Sequence, residues 1–196
     1  MNRQLPCPAK ADQAEAVQVT WQTPIGAMIG LITPGGIREL MFPEFPDLPP
    51  GQMTRMSVKV SRVVSPSDGA SVRADPTTQS HIESVGTFLK RYFKRRPINL
   101  CPRADWAGYS PFLIRCWEAT QSIGFGRTTT YGELAQAVGR PAAARAVGQA
   151  MARNPVVLIT PCHRVLPAGG SADAPGKFTG GPEIKGFLLR LETRRA

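Results

Sequence analysis

Cys162 and His163 stand side by side in the run Pro161-Cys162-His163-Arg164-Val165, and this pair is where the chain could perform covalent chemistry. A cysteine attacks as its thiolate, so it needs a base or a positive charge nearby to take its proton. His163, one of only 2 histidines, is the residue type suited to that task near neutral pH. The apolar stretch before the pair, Val156 to Thr160, is bracketed by Pro155 and Pro161 and reads as extended. Neighbours on an extended segment point to opposite faces, so a bridging water relays the proton better than a direct contact. A carboxylate should then orient the imidazole; the last helix offers Glu183 and Glu192, and Glu192, which flanks that helix's apolar stripe, is the better placed. Asn154 stands where the preceding helix must stop, and its amide can bond the backbone to hold the bend. Each residue also has a plainer reading, because a cysteine in an apolar segment is commonly inert packing and a neighbouring histidine a satisfied hydrogen-bonding group.

The remaining cysteines, Cys7, Cys101 and Cys116, make no short CxxC spacing with each other or with Cys162. Neither a disulfide framework nor a zinc knuckle fits, so reduced thiols and no metal are expected. No glycine-rich phosphate loop is present, and no organic cofactor is expected. No apolar run nears the roughly 20 residues that span a bilayer, and the N-terminus lacks the apolar stretch of a secretory signal. A cytoplasmic protein is expected, nucleoid-associated or, in a eukaryote, nuclear.

The elements that must position these residues divide the chain in two. The first half alternates β-like runs with turn residues: Ala16 to Thr23, Gly26 to Thr33 and Gly36 to Phe42, an antiparallel meander. After a proline-rich loop from Phe42 to Gly51, Met56 to Val64 can supply another strand, and Ser65 to Ser80 reads as polar connection. From Ser80 to Arg96, Ile82, Val85, Phe88, Leu89, Tyr92 and Phe93 share one helical face, while Lys90, Arg91, Lys94, Arg95 and Arg96 crowd its end. That cluster suits either the helix dipole or a polyanion. Pro97 to Ala107 reads as a linker. Beyond it the pattern is helical: Ser110-Pro111 opens a helix that faces Phe112, Cys116 and Trp117 to the core and closes at a glycine pair. Thr130-Tyr131-Gly132-Glu133 has the form of a capping box, Gly139 can end the short helix it starts, and Pro141 to Arg153 can follow at once. Two helices joined by a glycine turn describe a helix-turn-helix, and the second is built from Ala, Gly and Val around a projecting Arg145, a surface narrow enough to enter a DNA groove. The last helix, Pro182 to Arg195, places Ile184, Phe187, Leu188 and Leu191 on one stripe.

Charge agrees with this division. The chain carries 24 Lys+Arg against 14 Asp+Glu, a formal net charge of +10. Residues 1–89 hold 7 basic and 8 acidic side chains, whereas residues 90–196 hold 17 and 6. Concentration of basic charge in one half points to a polyanionic partner, nucleic acid ahead of an anionic membrane.

In its second half the sequence resembles the alkylguanine-DNA alkyltransferases. The resemblance runs through Phe112-x3-Cys116-Trp117, Gly126, Thr130 to Ala135, Ala144 to Gly148, Ala150-Met151, Asn154-Pro155, Pro161 to Val165, and Gly180-Gly181 to Leu188-Leu189. The first half matches loosely, through Thr23 to Gly26 and Leu89-x2-Tyr92-Phe93. The fold implied is α+β: a three-stranded antiparallel sheet with helices in residues 1–97, then a mainly helical domain in 98–196 with the helix-turn-helix and the cysteine. The resemblance assigns Cys162 as nucleophile toward the alkyl carbon of an O-alkylated guanine, His163 as its base through water, Glu192 as the group orienting His163, and Asn154 as a pocket residue. It assigns Tyr131 as a donor to a guanine ring nitrogen, the Thr179 amide as a donor to the exocyclic oxygen, and Lys185 and Phe178 as pocket residues. Arg145, Arg140 and Gly132 would meet duplex DNA at the minor groove, Arg145 filling the space of a flipped guanine. The implied protein is a monomer that acts once, because a thioether is not hydrolysed. The segment Pro167 to Lys177 is longer and richer in Gly, Ala and Pro than many members show, and Phe178-Thr179 stands where an aromatic and a serine are frequent. Other readings are a non-catalytic lesion sensor, which would not need Cys162, a cysteine hydrolase, which would not need a basic helix-turn-helix, and a transcription regulator, which would present polar side chains rather than alanines to the major groove.

Overall fold

In a computed structural model of the chain the described residues are 16–42, 57–64 (backbone only), 74–96 and 101–193. The proline-rich loop beyond Phe42, the polar segment 65–73, Cys7, residues 97–100 and the last three residues lie outside that description. The described residues fall into two compact units, one ending at Trp106 and the other starting at Ala107.

The first unit is an antiparallel sheet of β1 (Ala16–Thr23), β2 (Gly26–Thr33), β3 (Gly36–Met41) and β4 (Ser57–Val64), in the order β3-β2-β1-β4. The resemblance implies three strands; the fourth is the Met56 to Val64 run, which pairs with β1 and completes the sheet. Along β1 burial alternates residue by residue, so Val17, Val19 and Trp21 turn to one face. Helix α1 (Pro76–Phe93) covers that face with Ile82, Val85, Phe88, Leu89, Tyr92 and Phe93, the set that the periodicity groups together. Trp21 is fully buried, and a Cβ at Gly30 or Gly86 would come within 2.6 and 3.3 Å of its indole. The helix starts four residues before the expected Ser80, because Asp75 accepts from the amides of Thr77 at 2.9 Å and Thr78 at 3.1 Å and Pro76 takes the first helical position.

The expected linker is part of this sheet's edge. Ile37 donates to the Arg103 carbonyl and accepts from the Asp105 amide, both at 2.8 Å, while Asp105 accepts from Thr33 at 2.7 Å and Arg38 at 3.2 Å. A polar, proline-flanked segment carries no strand pattern, so this tie is invisible to periodicity.

The second unit is helical, with α2 (Pro111–Gln121), α3 (Tyr131–Ala137), α4 (Ala144–Ala152) and α5 (Pro182–Thr193). Cys116 and Trp117 are buried as expected, whereas Phe112 is only half-buried, and α2 ends at Ser122 before the glycines. The capping box forms in full: Thr130 Oγ1 accepts from the Glu133 amide at 3.2 Å, and the Glu133 carboxylate accepts from the Thr130 amide at 2.7 Å. Gly139, at φ +72°, lets the Arg140 amide reach back to the Ala135 carbonyl at 2.8 Å and closes α3. The expected single helix from Pro141 to Arg153 is instead a 3-10 turn, Pro141–Ala143, followed by α4, because the Ala143 amide bonds Arg140 three residues back. Trp117 Nε1 donates to the Ala150 carbonyl at 2.9 Å and seats α4 on α2.

Gly36 has φ +134°, and a Cβ there would overlap the Arg103 carbonyl. Gly36→Ala is expected to lower stability by about 1–3 kcal/mol, read as a lowered midpoint in urea.

Candidate active site

The segment from Asn154 to Leu166 is a closed turn, not the extended run expected of it. Asn154 Nδ2 donates to the Thr160 carbonyl at 2.8 Å, and its Oδ1 accepts from the Val156 amide at 3.1 Å. Leu158 sits at φ +68°, which folds the chain so that the Thr160 amide bonds the Val156 carbonyl at 2.9 Å. Cys162, His163 and Arg164 form a 3-10 turn, with the Arg164 amide on the Pro161 carbonyl at 2.9 Å. The prolines bound the turn instead of straightening it. Side chains three to a turn fan outward, so Cys162 and His163 are not thrown to opposite faces. Val165–Leu166 (β6) then pairs in parallel with Thr129–Thr130 (β5), which ties this turn to the residues that open α3.

Behind the turn lies Glu192. Its Oε1 is 2.7 Å from His163 Nε2, with both side chains buried. Arg164 grips the same carboxylate with two nitrogens, Nε at 2.8 Å and Nη2 at 3.0 Å, the Gly126 amide adds a bond at 2.9 Å, and a further Arg164 nitrogen donates to the Ile123 carbonyl. Burial alone would raise the Glu192 pKa, but the bonds and charges of His163 and Arg164 outweigh it and hold the carboxyl down at about 2. His163 goes the other way from an ordinary imidazole: burial pushes its pKa down, the neighbouring Arg164 and Lys185 charges add to that, and the Glu192 bond offsets them only in part. It is therefore a neutral imidazole near pH 7. Since an ionised carboxylate can only accept, Nε2 carries the hydrogen and Nδ1 is the nitrogen able to take up a proton.

Glu192 lies within the buried stripe of α5, not at its flank. The buried residues are Ile184, Lys185, Gly186, Leu188, Leu189 and Glu192, while Phe187 and Leu191 are half-exposed. The helix is turned from its apolar face because the ion pair with Arg164 and the bond from Lys185 are satisfied only inside.

Cys162 is buried, and burial raises its thiol pKa; the Asn154 Nδ2 bond to Sγ at 3.1 Å and the charge of Lys185 act in the opposite direction. Lys185 is itself fully buried, which pushes its ammonium down, and Nζ donates to the Val165 carbonyl at 2.8 Å. Its Nζ lies 5.8 Å from the ring centres of both Tyr131 and Phe178, so one cation gathers the two rings. Burial and the Cys162 charge push the Tyr131 hydroxyl up, which keeps it a donor. Thr179 is exposed beside Phe178. On the helix-turn-helix, Arg140 and Arg145 are exposed, Gly132 is partly exposed in the first turn of α3, and α4 buries Val147, Ala150 and Met151 on its other side. Thus Cys162, His163, Glu192, Asn154, Tyr131, Lys185 and Phe178 are linked by direct contacts or charges, whereas Thr179, Arg140 and Arg145 are exposed and Gly132 partly so. Among the described residues no group of three or more His, Cys, Asp or Glu could hold a metal ion, and no helix is long and apolar enough to cross a membrane.

Residues 111–194 match the family described as "6-O-methylguanine DNA methyltransferase, DNA binding domain". A methylated-DNA–protein-cysteine methyltransferase from Mycobacterium leprae is 43% identical over 117 residues, covering 60% of this chain and 68% of that protein. The chain belongs to this methyltransferase family. Relatives of the same description from Mycolicibacterium paratuberculosis and Methanosarcina acetivorans are 46% and 49% identical over 59% and 53% of this chain, and the matched part spans 65% and 64% of their length. Among solved structures, the Mycobacterium tuberculosis O6-methylguanine methyltransferase is 27% identical with a TM-score of 0.65, covering 92% of this chain and 94% of that one. The Mycobacterium tuberculosis OGT in complex with DNA is 29% identical with a TM-score of 0.63, covering 89% and 91%.

Within this family member, Arg164 and the loop groups at Ile123 and Gly126 are the site residues that pattern reading passes over. The available signal is an arginine next to His163 in a chain whose last helix brings few carboxylates. Acid should expose the network. Glu192 has a folded pKa, about 2, below its ordinary 4.5, so its contribution is complete above pH 4.5 and is lost as pH falls toward 2. His163 is likewise held below its ordinary 6.5, so protonation of the unfolded chain erodes stability as pH drops below 6.5. Chemical denaturation of the wild type across pH 7 to 2.5 should show both losses, and Glu192→Gln should be less stable at pH 7 yet flatter below pH 4.5. A Glu192→Gln curve parallel to wild type would contradict this assignment.

Proposed function

We propose that the chain takes an alkyl group, typically methyl, from the exocyclic oxygen of a guanine in duplex DNA and fixes it on Sγ of its own Cys162, once per molecule. The observation that carries the reading is the pairing of two contacts on adjacent residues: Asn154 Nδ2 on Cys162 Sγ at 3.1 Å, and the buried Glu192 carboxylate on His163 Nε2 at 2.7 Å. The relatives named for methylated DNA and the relative solved with DNA support the substrate and partner.

In this reading His163 Nδ1 accepts the thiol proton through a water, and the sulfur attacks the alkyl carbon. The S–C bond forms as the C–O bond breaks, and the electron pair leaves with the guanine. Tyr131 delivers a proton to the ring nitrogen and recovers one from the His163 side, so the net exchange is S–H and C–O for S–C and N–H. Donors aimed at the departing guanine stabilise the charge that develops there, the Tyr131 hydroxyl and the Thr179 amide being the candidates, with Phe178 stacking on the base. Lys185 keeps Tyr131 and Phe178 in register with Cys162 and favours the thiolate. Glu192 and Arg164 are positioning residues: Glu192 orients the imidazole, and burial together with the Arg164 and Lys185 charges keeps it neutral. The small residues of α4 enter the minor groove, Arg145 occupies the space of the flipped guanine, and Arg140 and Gly132 lie against the DNA. Because no step hydrolyses the thioether, the protein is consumed.

Intact-mass measurement after mixing with an oligonucleotide bearing one O-methylated guanine should show a single methyl adduct, mapped to Cys162 and absent in Cys162→Ala; tight lesion binding without an adduct would reduce the chain to a recognition module. Replacing His163 by Gln should slow transfer by about 10²–10⁴-fold, the usual worth of a positioned base. Arg145→Ala should slow repair by about 10–100-fold while changing affinity for undamaged duplex much less; unchanged repair rates would remove Arg145 from that role.

A further inference from the structure

The C-terminal end of α1, in the unit without Cys162, forms a basic concavity of about 300 Å³ lined by Thr87, Lys90, Arg91, Lys94 and Arg96. All five are exposed, and no carboxylate is among them. Between Glu83 and Asp105 the sequence has no acidic residue at all, while Lys90, Arg91, Lys94, Arg95, Arg96 and Arg103 all fall there. The helix dipole accounts for Lys90 and Arg91 in the last turn. It does not account for Arg96, two residues past the C-cap Lys94. The backbone gathers these charges: Arg95 takes φ +54°, unusual for a residue with a side chain, and the chain doubles back so that the Arg96 amide bonds the Arg91 carbonyl at 3.0 Å. Arg96 thereby lines the same hollow as residues a full turn earlier.

We propose that this hollow is a second contact for the phosphate backbone of nucleic acid, separate from the helix-turn-helix and Cys162. Every lining side chain ends in a cation or, in Thr87, a hydroxyl, and the large apolar side chains of α1 are turned to its sheet, so the charged ends that this surface presents suit a polyanion. Such a surface reads charge and not base sequence, which places it among the contacts that set position and salt dependence. The proposal rests on the reading of DNA as partner but not on alkyl transfer.

The test is the affinity of the full chain for an undamaged duplex, measured from low to moderate salt, for wild type and for K90Q/K94Q/R96Q. Each lost phosphate contact should flatten the plot of log affinity against log salt by about 0.9, so the triple variant is expected to flatten it by about 2–3. Methyl transfer at saturating lesion DNA should be unchanged, and K90R/K94R should keep the wild-type slope. An unchanged slope in the triple variant overturns the proposal, as does an unchanged slope with lost binding to phosphatidylserine vesicles, which would assign the hollow to membranes. If wild type takes up no methyl and the slope still falls, the alkyl-transfer reading fails and this contact stands.

Discussion

The second unit is organised around one buried carboxylate. Glu192 receives the His163 imidazole, two Arg164 nitrogens and the Gly126 amide, which together satisfy the lone pairs of a charge that water no longer reaches. An ion pair in such a place is a poor source of net stability, because desolvating both partners costs several kcal/mol per ion and the attraction mostly offsets it. Its value is in specificity. Burial outweighs the pull of Glu192, the Arg164 and Lys185 charges add to it, and the imidazole stays neutral with its acceptor nitrogen fixed by the carboxylate. The same carboxylate joins the end of α5, the Cys162 turn and the loop after α2, three segments far apart in sequence.

The Cys162 environment is a balance of opposed effects. Burial favours the thiol, whereas the Asn154 amide and the Lys185 charge favour the thiolate. A resting thiol that can be activated in place suits the proposed alkyl transfer, in which the sulfur must stay unmodified until a substrate arrives. Lys185 serves packing as well as charge: it holds the Val165 carbonyl and lies over Tyr131 and Phe178, so one cation ties together three groups around the sulfur. The β5–β6 pairing does the same for the backbone, since it sets the first turn of α3 against the reactive turn. Chemistry and the helix-turn-helix are thus mechanically joined by two residues on each side.

In the proposed complex with DNA, the small side chains of α4 and the excess of basic residues beyond Lys90 serve a different demand. Close approach to a polyanion needs a surface with few protruding groups and a field that attracts it. The buried side of α4, Val147, Ala150 and Met151, rests on α2, and this leaves Arg145 and its small neighbours outward. In the first unit, the apolar face of α1 is spent on the sheet, and its cations are carried to the end of the helix where solvent or a partner can reach them.

Sequence by itself determined the features whose cause is local. The strands from Ala16 to Met41, the buried face of α1, the Thr130 capping box and the Gly139 stop all follow from periodicity or from bonds made within a few residues. Cys162, His163, Asn154 and Glu192 could be picked out because thiol chemistry needs a base, an orienting carboxylate and a shaped bend, and few residues in the chain offer them. Tertiary structure decided what depends on partners distant in sequence. The Val156 to Thr160 run folds into a turn because Asn154 supplies bonds that an apolar pattern does not reveal. Residues 103–105 join the sheet through Ile37, although nothing in their own pattern marks a strand. The face that α5 buries is set by Arg164 and Val165 meeting Glu192 and Lys185, polar contacts that hydrophobic spacing ranks last and a dry interior ranks first.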